Sequence, residues 1–491
     1  MRLFEKYRTL PGKILNNWVL LLTCILLIAG AIRFFTMGSY PLFDNTESRY
    51  AEIARKMVET NIWVMPQYHY GVPFWAKPPL STWSSAVTME IFGINEFAVR
   101  LSSFIFSLGI FWLVYALAMK KNGRGYALSS SVVLWTTPVF FIISGGVMTD
   151  PSLAFATTLA MAAFWNAASS TSRRRAWGYI FFAALGIGLL AKGPVAIVLT
   201  MFPIGVWVLW KKKWSEVRHG LPWFTGGLLM LAIAVPWYVA AEIYSPGFLK
   251  YFLIGEHVMR FIDSGWHGDL YGHEHSVFRG AVWLYWLAAT FPWCIIFIKA
   301  LVSDKSKASG IASDGWRSYL MLWALTPMIF FTLAGSILWT YVLPGIPAFA
   351  LLLGEIINAH AGEKWMSRQV LSAGLLFPVL FLGVVIFAKP LQVVKCQKEV
   401  VEGYYQDRPS PDSKLVYLFN KPYSAEFYSN GKAIQASNLK TAKTFLQIGA
   451  PTFFVLQEGQ MLPEYLKARL SFVREYGKFQ LMEEKTSNQP S

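Results

Sequence analysis

Pro41-Leu42-Phe43-Asp44-Asn45-Thr46-Glu47-Ser48-Arg49-Tyr50-Ala51-Glu52 opens the stretch whose reading decides this chain. It lies within residues 38–97, between apolar segments at 16–37 and 98–119 that are each long enough to cross a bilayer. Further along the same stretch comes Pro73-Phe74-Trp75-Ala76-Lys77-Pro78-Pro79-Leu80. A connection with no task of its own is short. This one is long and mixes acids, bases and aromatics, so chemistry is expected on it. Tyr50, Ile53, Ala54, Met57 and Val58 fall at i, i+3, i+4, i+7 and i+8, one apolar helical face, with Arg49, Glu52, Arg55, Lys56 and Glu59 off it. The spacing predicts an amphipathic helix lying at the membrane surface, capped by Asn45 or Thr46, with Glu47 in a first turn that favours negative charge. Such a helix would hold Asp44, Glu47 and Arg49 together at the water–lipid boundary.

Outward from this loop the chain reads as a polytopic α-helical membrane protein. Of its 491 residues, 55% are hydrophobic and only 15% are charged, a balance foreign to soluble classes. Apolar runs at 16–37, 98–119, 126–145, 152–169, 176–191, 194–210, 222–242, 278–300, 318–335, 339–358 and 369–388 predict about 11 transmembrane helices. The runs at 152–169 and 176–191 are short, and treating one as re-entrant shifts the count by two, with 13 as the upper figure. The first run is read as a retained span, because no small-residue cleavage site follows it.

The net charge of +16 does not signal nucleic acid. Lys and Arg gather in short connections after every second span, as in Lys120, Lys121 and Arg124, then Arg173 to Arg175, then Lys211 to Lys213. That is the positive-inside pattern. It predicts a cytoplasmic N-terminus and places 38–97, Asp150, the 243–277 loop and the tail on the opposite face. Three cysteines are too few for a disulfide framework. A transmembrane domain over 1–388 is expected to give way to a small soluble α/β domain over 389–491, with strands at 414–419, 452–456 and 471–475, helices at 439–447 and 462–468, and a disordered end at 485–491. No internal repeat is visible, which counts against transporter folds built from duplicated halves.

Each polar motif has a bland and a chemical reading. Asp44 and Glu47 are either a capped helix start or a general base that activates an acceptor hydroxyl or amine. Lys77 among Phe74, Trp75 and Trp83 is either an interfacial belt or a cation that neutralises a lipid-linked phosphate. Asp150 sits at the outer end of a span, where it is solvated or caps the next helix. Lys192-Gly193-Pro194 puts a cation where the positive-inside rule disfavours one; it either snorkels or serves a function. The loop 251–279 is polar throughout, and His267, His273, Glu274 and His275 match no metal-ligand spacing. Glu256, His257 and Arg260 differ from the rest of that loop, since they share one helical face beside a span and can meet a phosphate.

Taken in order, these residues resemble a family. Asp44-x-x-Glu47-x-Arg49-Tyr50-Ala51-Glu52-Ile53-Ala54, Trp63-x-x-Pro66, Lys77-Pro78-Pro79-Leu80-x-x-Trp83 and Phe92-Gly93-x-x-Glu96-Phe97-x-x-Arg100 look like the first loop of the bacterial 4-amino-4-deoxy-L-arabinose lipid A transferases. The wider group is the protein-mannosyltransferase-like GT-C glycosyltransferases. The likeness runs on through Asp150, Lys192-Gly193-Pro194, Glu256-His257-x-x-Arg260 and Ser336 to Tyr341-Val342-Leu343-Pro344, covering residues 38 to 355.

The resemblance implies a GT-C fold in the bacterial inner membrane with a periplasmic active site. It implies a polyprenyl (undecaprenyl) phosphate sugar donor and an acceptor such as lipid A, another glycolipid, a polysaccharide or a protein. Transfer by one displacement would be inverting. No cofactor is implied, and a divalent metal is left open. Carried over residue by residue, the resemblance suggests Glu47, Arg49, Lys77, Arg260 and Tyr341; in the reading of this chain Asp44 acts as base and Glu47 orients the acceptor, while Arg49, Lys77, Arg260 and Tyr341 bind the donor phosphate. Asp150, Lys192, Glu256 and His257 support them. The chain departs from the family pattern at Thr46, where an Asp is usual, at Ala76, where the arabinose transferases often carry an acid, and at Gly255, where a His can occur. Asp44 is expected to take over from position 46. The alternative is a transporter or flippase of lipid-linked sugars, which would concentrate its ionisable groups at the bilayer midplane; here they gather in outer loops.

Overall fold

Each apolar run is helical over most of its length, and proline and glycine decide where the helices break. The computed structural model describes residues 12–169, 173–263, 266–271, 277–303, 315–388, 395–408, 410–446 and 451–485. His273, Glu274 and His275, and the end at 486–491, lie outside the described residues. Among the described residues, five helices are long and apolar enough to cross a membrane, or six if one sharply bent pair counts as a span.

That bent pair differs from the single span expected at 278–300. Ala281–Thr290 and Trp293–Ser303 are separate helices, and their axes turn by 103° at Phe291-Pro292. Pro292 has no N–H to continue the helical ladder. The run at 126–145 is likewise broken. Glu96–Thr136 reads as one helical stretch that turns at Asn122 and Gly123, where Gly123 has φ 75°, and it ends at Thr137, whose extended backbone precedes Pro138.

The first loop forms the helix Thr46–Thr60, a short hairpin pairing Gln67–His69 with Val72–Pro73, and the helix Leu80–Phe92. The helix is where the periodicity placed it, but its polar face is not in water. Glu52, Arg55 and Lys56 are 0%, 1% and 0% exposed. Arg55 pairs with Glu52 at 2.6 Å and Glu59 at 2.8 Å, and Lys56 reaches Glu426 of the tail at 2.9 Å. The expected surface helix is therefore a layer between the transmembrane helices and the tail. Asn45 makes no side-chain cap; Glu47 instead accepts from the Phe43 N–H at 3.2 Å.

The tail is an α/β unit. Its sheet runs in the order Ile434–Ala436, Lys414–Leu418, Thr452–Gln457, Phe479–Glu484, Leu470–Tyr476, the first three parallel and the last two antiparallel to their neighbours. Helices Lys398–Asp407 and Tyr423–Tyr428 pack on one face, and Leu439–Phe445 and Glu464–Lys467 on the other. The tail docks on the first loop through Tyr423–Tyr428. Gly431, at φ 76°, lets the backbone approach closely, since a Cβ there would stand 2.4 Å from the Tyr70 hydroxyl and 2.8 Å from the Arg55 guanidinium. Glu96 adds a second anchor, taking Lys398 at 2.7 Å and the Tyr428 hydroxyl at 3.0 Å.

Candidate active site

The chain from Phe248 to Ile262 is one helical stretch whose middle, Tyr251–Met259, is a π-helix. Such segments re-aim side chains and recur at functional sites. Here the stretch carries Glu256, His257 and Arg260, and it packs onto Lys192-Gly193-Pro194. Gly193 makes that approach possible: at φ 78°, a Cβ would sit 2.6 Å from the Phe252 ring and 3.1 Å from His257 Nε2.

The two segments, with Lys77 from the first loop and Tyr341 from the 3-10 turn Trp339–Gly345, line one cavity of about 940 Å³, counting space open to solvent. Seven of the sequence candidates meet there: Lys77, Asp150, Lys192, Glu256, His257, Arg260 and Tyr341. Val195, Val198, Phe261, Phe330 and Phe331 make the rest of the wall apolar. The cavity thus combines cationic and apolar lining.

Carboxylates hold the cations in place. Glu256 takes Lys77 at 2.7 Å and Arg260 at 3.2 Å, and accepts from the Tyr251 hydroxyl at 3.3 Å. Burial pushes the Glu256 carboxyl up, but Lys77 and Arg260 outweigh it and hold the group below the ordinary range, so it is ionised. Asp150 takes Lys192 at 2.9 Å, and the same ammonium lies 4.5 Å from the centre of the Tyr341 ring. His257 is wedged between the carbonyls of Phe252, 2.8 Å away, and Lys192, 3.2 Å away, and burial pushes its pKa down. Its role here is to fix the Lys192 backbone. Arg260 and Lys77 keep 25% and 18% of their side chains exposed, so their free faces can take an anion.

Three expected site residues are not in this cavity's lining. Asp44 faces the tail: Ser48 Oγ donates to its Oδ1 at 2.5 Å, Ser424 N donates to the same atom at 2.9 Å, and Ser424 Oγ donates to Oδ2. Burial nevertheless leaves its carboxyl above the ordinary value. Glu47 grips Arg100 with both oxygens, each at 2.8 Å. Arg49 donates to the Tyr271 carbonyl at 2.5 Å. In this structure each of the three is engaged by partners outside the cavity. Each is a polar residue of the first loop captured by a partner from another segment, which sequence spacing does not show.

Sequence reasoning also missed Asp269, taken as part of a solvated loop. It lies 3.4 Å from Arg260 with 9% of its side chain exposed. Phe330 and Phe331 carried no signal, since phenylalanine is ordinary in a span. Among the described residues, no group of three or more His, Cys, Asp and Glu is placed to hold a metal ion.

Residues 16–252 match the family model of the dolichyl-phosphate-mannose-protein mannosyltransferases. The undecaprenyl phosphate-alpha-4-amino-4-deoxy-L-arabinose arabinosyl transferase of Erwinia tasmaniensis is 31% identical over 368 residues, 72% of this chain and 62% of that protein. The first such transferase of Pseudomonas fluorescens is 29% identical over 358 residues, 70% of this chain and 58% of that protein. The chain thus spans about three fifths of the length of these curated relatives. The crystal structure of ArnT from Cupriavidus metallidurans bound to undecaprenyl phosphate superposes with a TM-score of 0.75 at 20% identity, covering 96% of this chain and 99% of that one. The two share a fold, and the resemblance read from the motifs is matched by these relatives.

Proposed function

We propose that this chain, a GT-C membrane protein related to the protein-mannosyltransferase family, transfers a sugar from a polyprenyl phosphate to an acceptor at the periplasmic face of the bacterial inner membrane. One observation carries the proposal: Lys77, Lys192 and Arg260 converge on a cavity that is otherwise lined largely by apolar side chains. That pairing of surfaces suits a phosphate joined to a prenyl chain. The phosphate sits among the three cations and the chain lies along Phe261, Phe330 and Phe331.

Breaking the bond between the anomeric carbon and the phosphate oxygen leaves added negative charge on the phosphate. Cations already held in place by Glu256 and Asp150 stabilise that charge without reorganising, which is the main way such a site lowers a barrier. Tyr341 holds Lys192 by its ring face. The acceptor attacks the anomeric carbon from the side opposite the departing phosphate and releases its proton to solvent, so the configuration inverts. Asp44 and Glu47 act as positioning residues that fix the loop bearing Lys77. In the same reading there are eleven membrane-crossing segments, the N-terminus is cytoplasmic, and 38–97, 243–277 and the tail are periplasmic. The acceptor is lipid A or another glycolipid, polysaccharide or protein.

Binding of undecaprenyl phosphate to the purified full chain tests the donor site. Lys77→Ala and Arg260→Ala are each expected to weaken it by about tenfold or more, since a hydrogen bond to a charged group contributes about 1.5–3 kcal/mol. Undecaprenol, which lacks the phosphate, should bind both variants as it binds the wild type. Unchanged affinity for the phosphate in both variants would remove the basis of the proposal.

A further inference from the structure

A second cavity, of about 810 Å³ counting space open to solvent, lies between the first loop and the tail. No Leu, Ile, Val or Met side chain lines it among the described residues, so an acyl or prenyl chain would find no apolar wall there. Its wall combines the rings of Tyr68, Tyr423 and Phe479 and the amides of Gln397, Asn420 and Gln435 with the charged groups of Asp44, Lys395, Lys421 and Glu426 and the His69 ring. Aromatic faces cover the C–H faces of a pyranose, and amides pair with its hydroxyls.

Two of the amides have unused capacity. Gln397 is 1% exposed and accepts from the Tyr417 hydroxyl through Oε1 at 3.2 Å, and its amide N–H groups have no partner among the described residues. The exposed Asn420 side chain makes no hydrogen bond among the described residues and lines the cavity.

Three tyrosine rings in series lie between this cavity and the cationic one. The Tyr68 ring is 5.0 Å from Tyr271, Tyr271 is 5.9 Å from Tyr251, and the Tyr251 hydroxyl reaches Glu256. We propose that this second cavity binds the saccharide head of the acceptor, holding it against the tyrosine layer that borders the donor site. The inference rests on the glycosyl-transfer reading for the identity of the ligand as acceptor, but saccharide binding is a separate observable.

The test uses the intact protein in detergent and ligand-observed NMR with a panel of soluble disaccharides: neutral hexose, hexosamine, uronic acid and phosphorylated hexosamine. Undecaprenyl phosphate affinity is measured beside it. Wild type should bind at least one disaccharide. Asn420→Ala should weaken that binding about tenfold and Asn420→Trp, which fills the cavity, should abolish it. Neither should change undecaprenyl phosphate affinity or thermal stability. No binding across the panel, or binding indifferent to both substitutions, would overturn the proposal while leaving the donor site intact. Saccharide binding lost in the variants of a protein that fails to bind undecaprenyl phosphate would support the saccharide site and count against the glycosyl-transfer reading.

Discussion

Lys77 has a single carboxylate partner, Glu256, and keeps part of its ammonium side open to the donor cavity. Lys77→Ala is expected to lower turnover by about 10²–10³-fold, the usual cost of removing one group aimed at developing charge. Lys77→Arg, which restores the charge with a different shape, should recover part of the rate, and an assay of sugar transfer reads both. Asp44 separates two accounts of one residue. If it holds the tail, Asp44→Asn places an amide N–H against the Ser424 donors, and the tail should become sensitive to protease as activity falls. Activity lost with the tail still protected would restore the base role. Glu47→Ala would leave Arg100, which is fully buried, without its carboxylate, at a cost of about 3–5 kcal/mol in stability. Residue types were legible in the sequence: seven of the ten named side chains line one cavity. What could not be read was direction, because Asp44 and Glu47 are claimed by Ser424 and Arg100, which lie far from them along the chain.

The helix Thr46–Thr60 shows the same limit at the next scale. Its period gave the helix, yet Glu52, Arg55 and Lys56 are buried because the tail lies over them, and a period cannot report what covers a polar face. The link between Lys56 and Glu426 makes tail docking depend on pH. Burial raises the Glu426 carboxyl, but Lys56 and Lys421 outweigh it and hold it below its ordinary value of 4.5. A lowered folded value means that the docking contribution is complete above about 4.5 and is lost as pH falls through the folded value. Asp44 has the opposite sign: its raised value makes its contribution complete below 3.8 and lost as pH rises, so it does not cause release in acid. Limited proteolysis should find the tail protected from pH 7 to pH 5 and progressively cut below about 4.5. Glu426→Gln should remove most of that dependence. The breaks at Phe291-Pro292 and Thr137-Pro138 were also within reach of the sequence, since each proline was visible; the hydropathy run masked them.

At the scale of the whole molecule, hydropathy located the helical runs along the chain, and the motif set pointed to the fold shared with the arabinose transferase structure. The second cavity was invisible, because it is made by two segments that meet only when the tail folds back on the first loop. The eleven-span topology predicts that single cysteines introduced in a chain lacking Cys24, Cys294 and Cys396 will be labelled by an impermeant reagent added from the periplasmic side at exposed sites such as Asn61 or Met461, and not at Lys212. Labelling of Lys212→Cys from that side would reverse the orientation. The most direct measurement is an assay in proteoliposomes with radiolabelled polyprenyl-phosphate sugars, following polyprenyl phosphate release and sugar position for wild type and Lys77→Ala. The account predicts release of polyprenyl phosphate and a glycosylated acceptor with the wild type, and almost none with Lys77→Ala. Sugar that crosses the bilayer with its bond to phosphate intact would contradict it and make the protein a transporter.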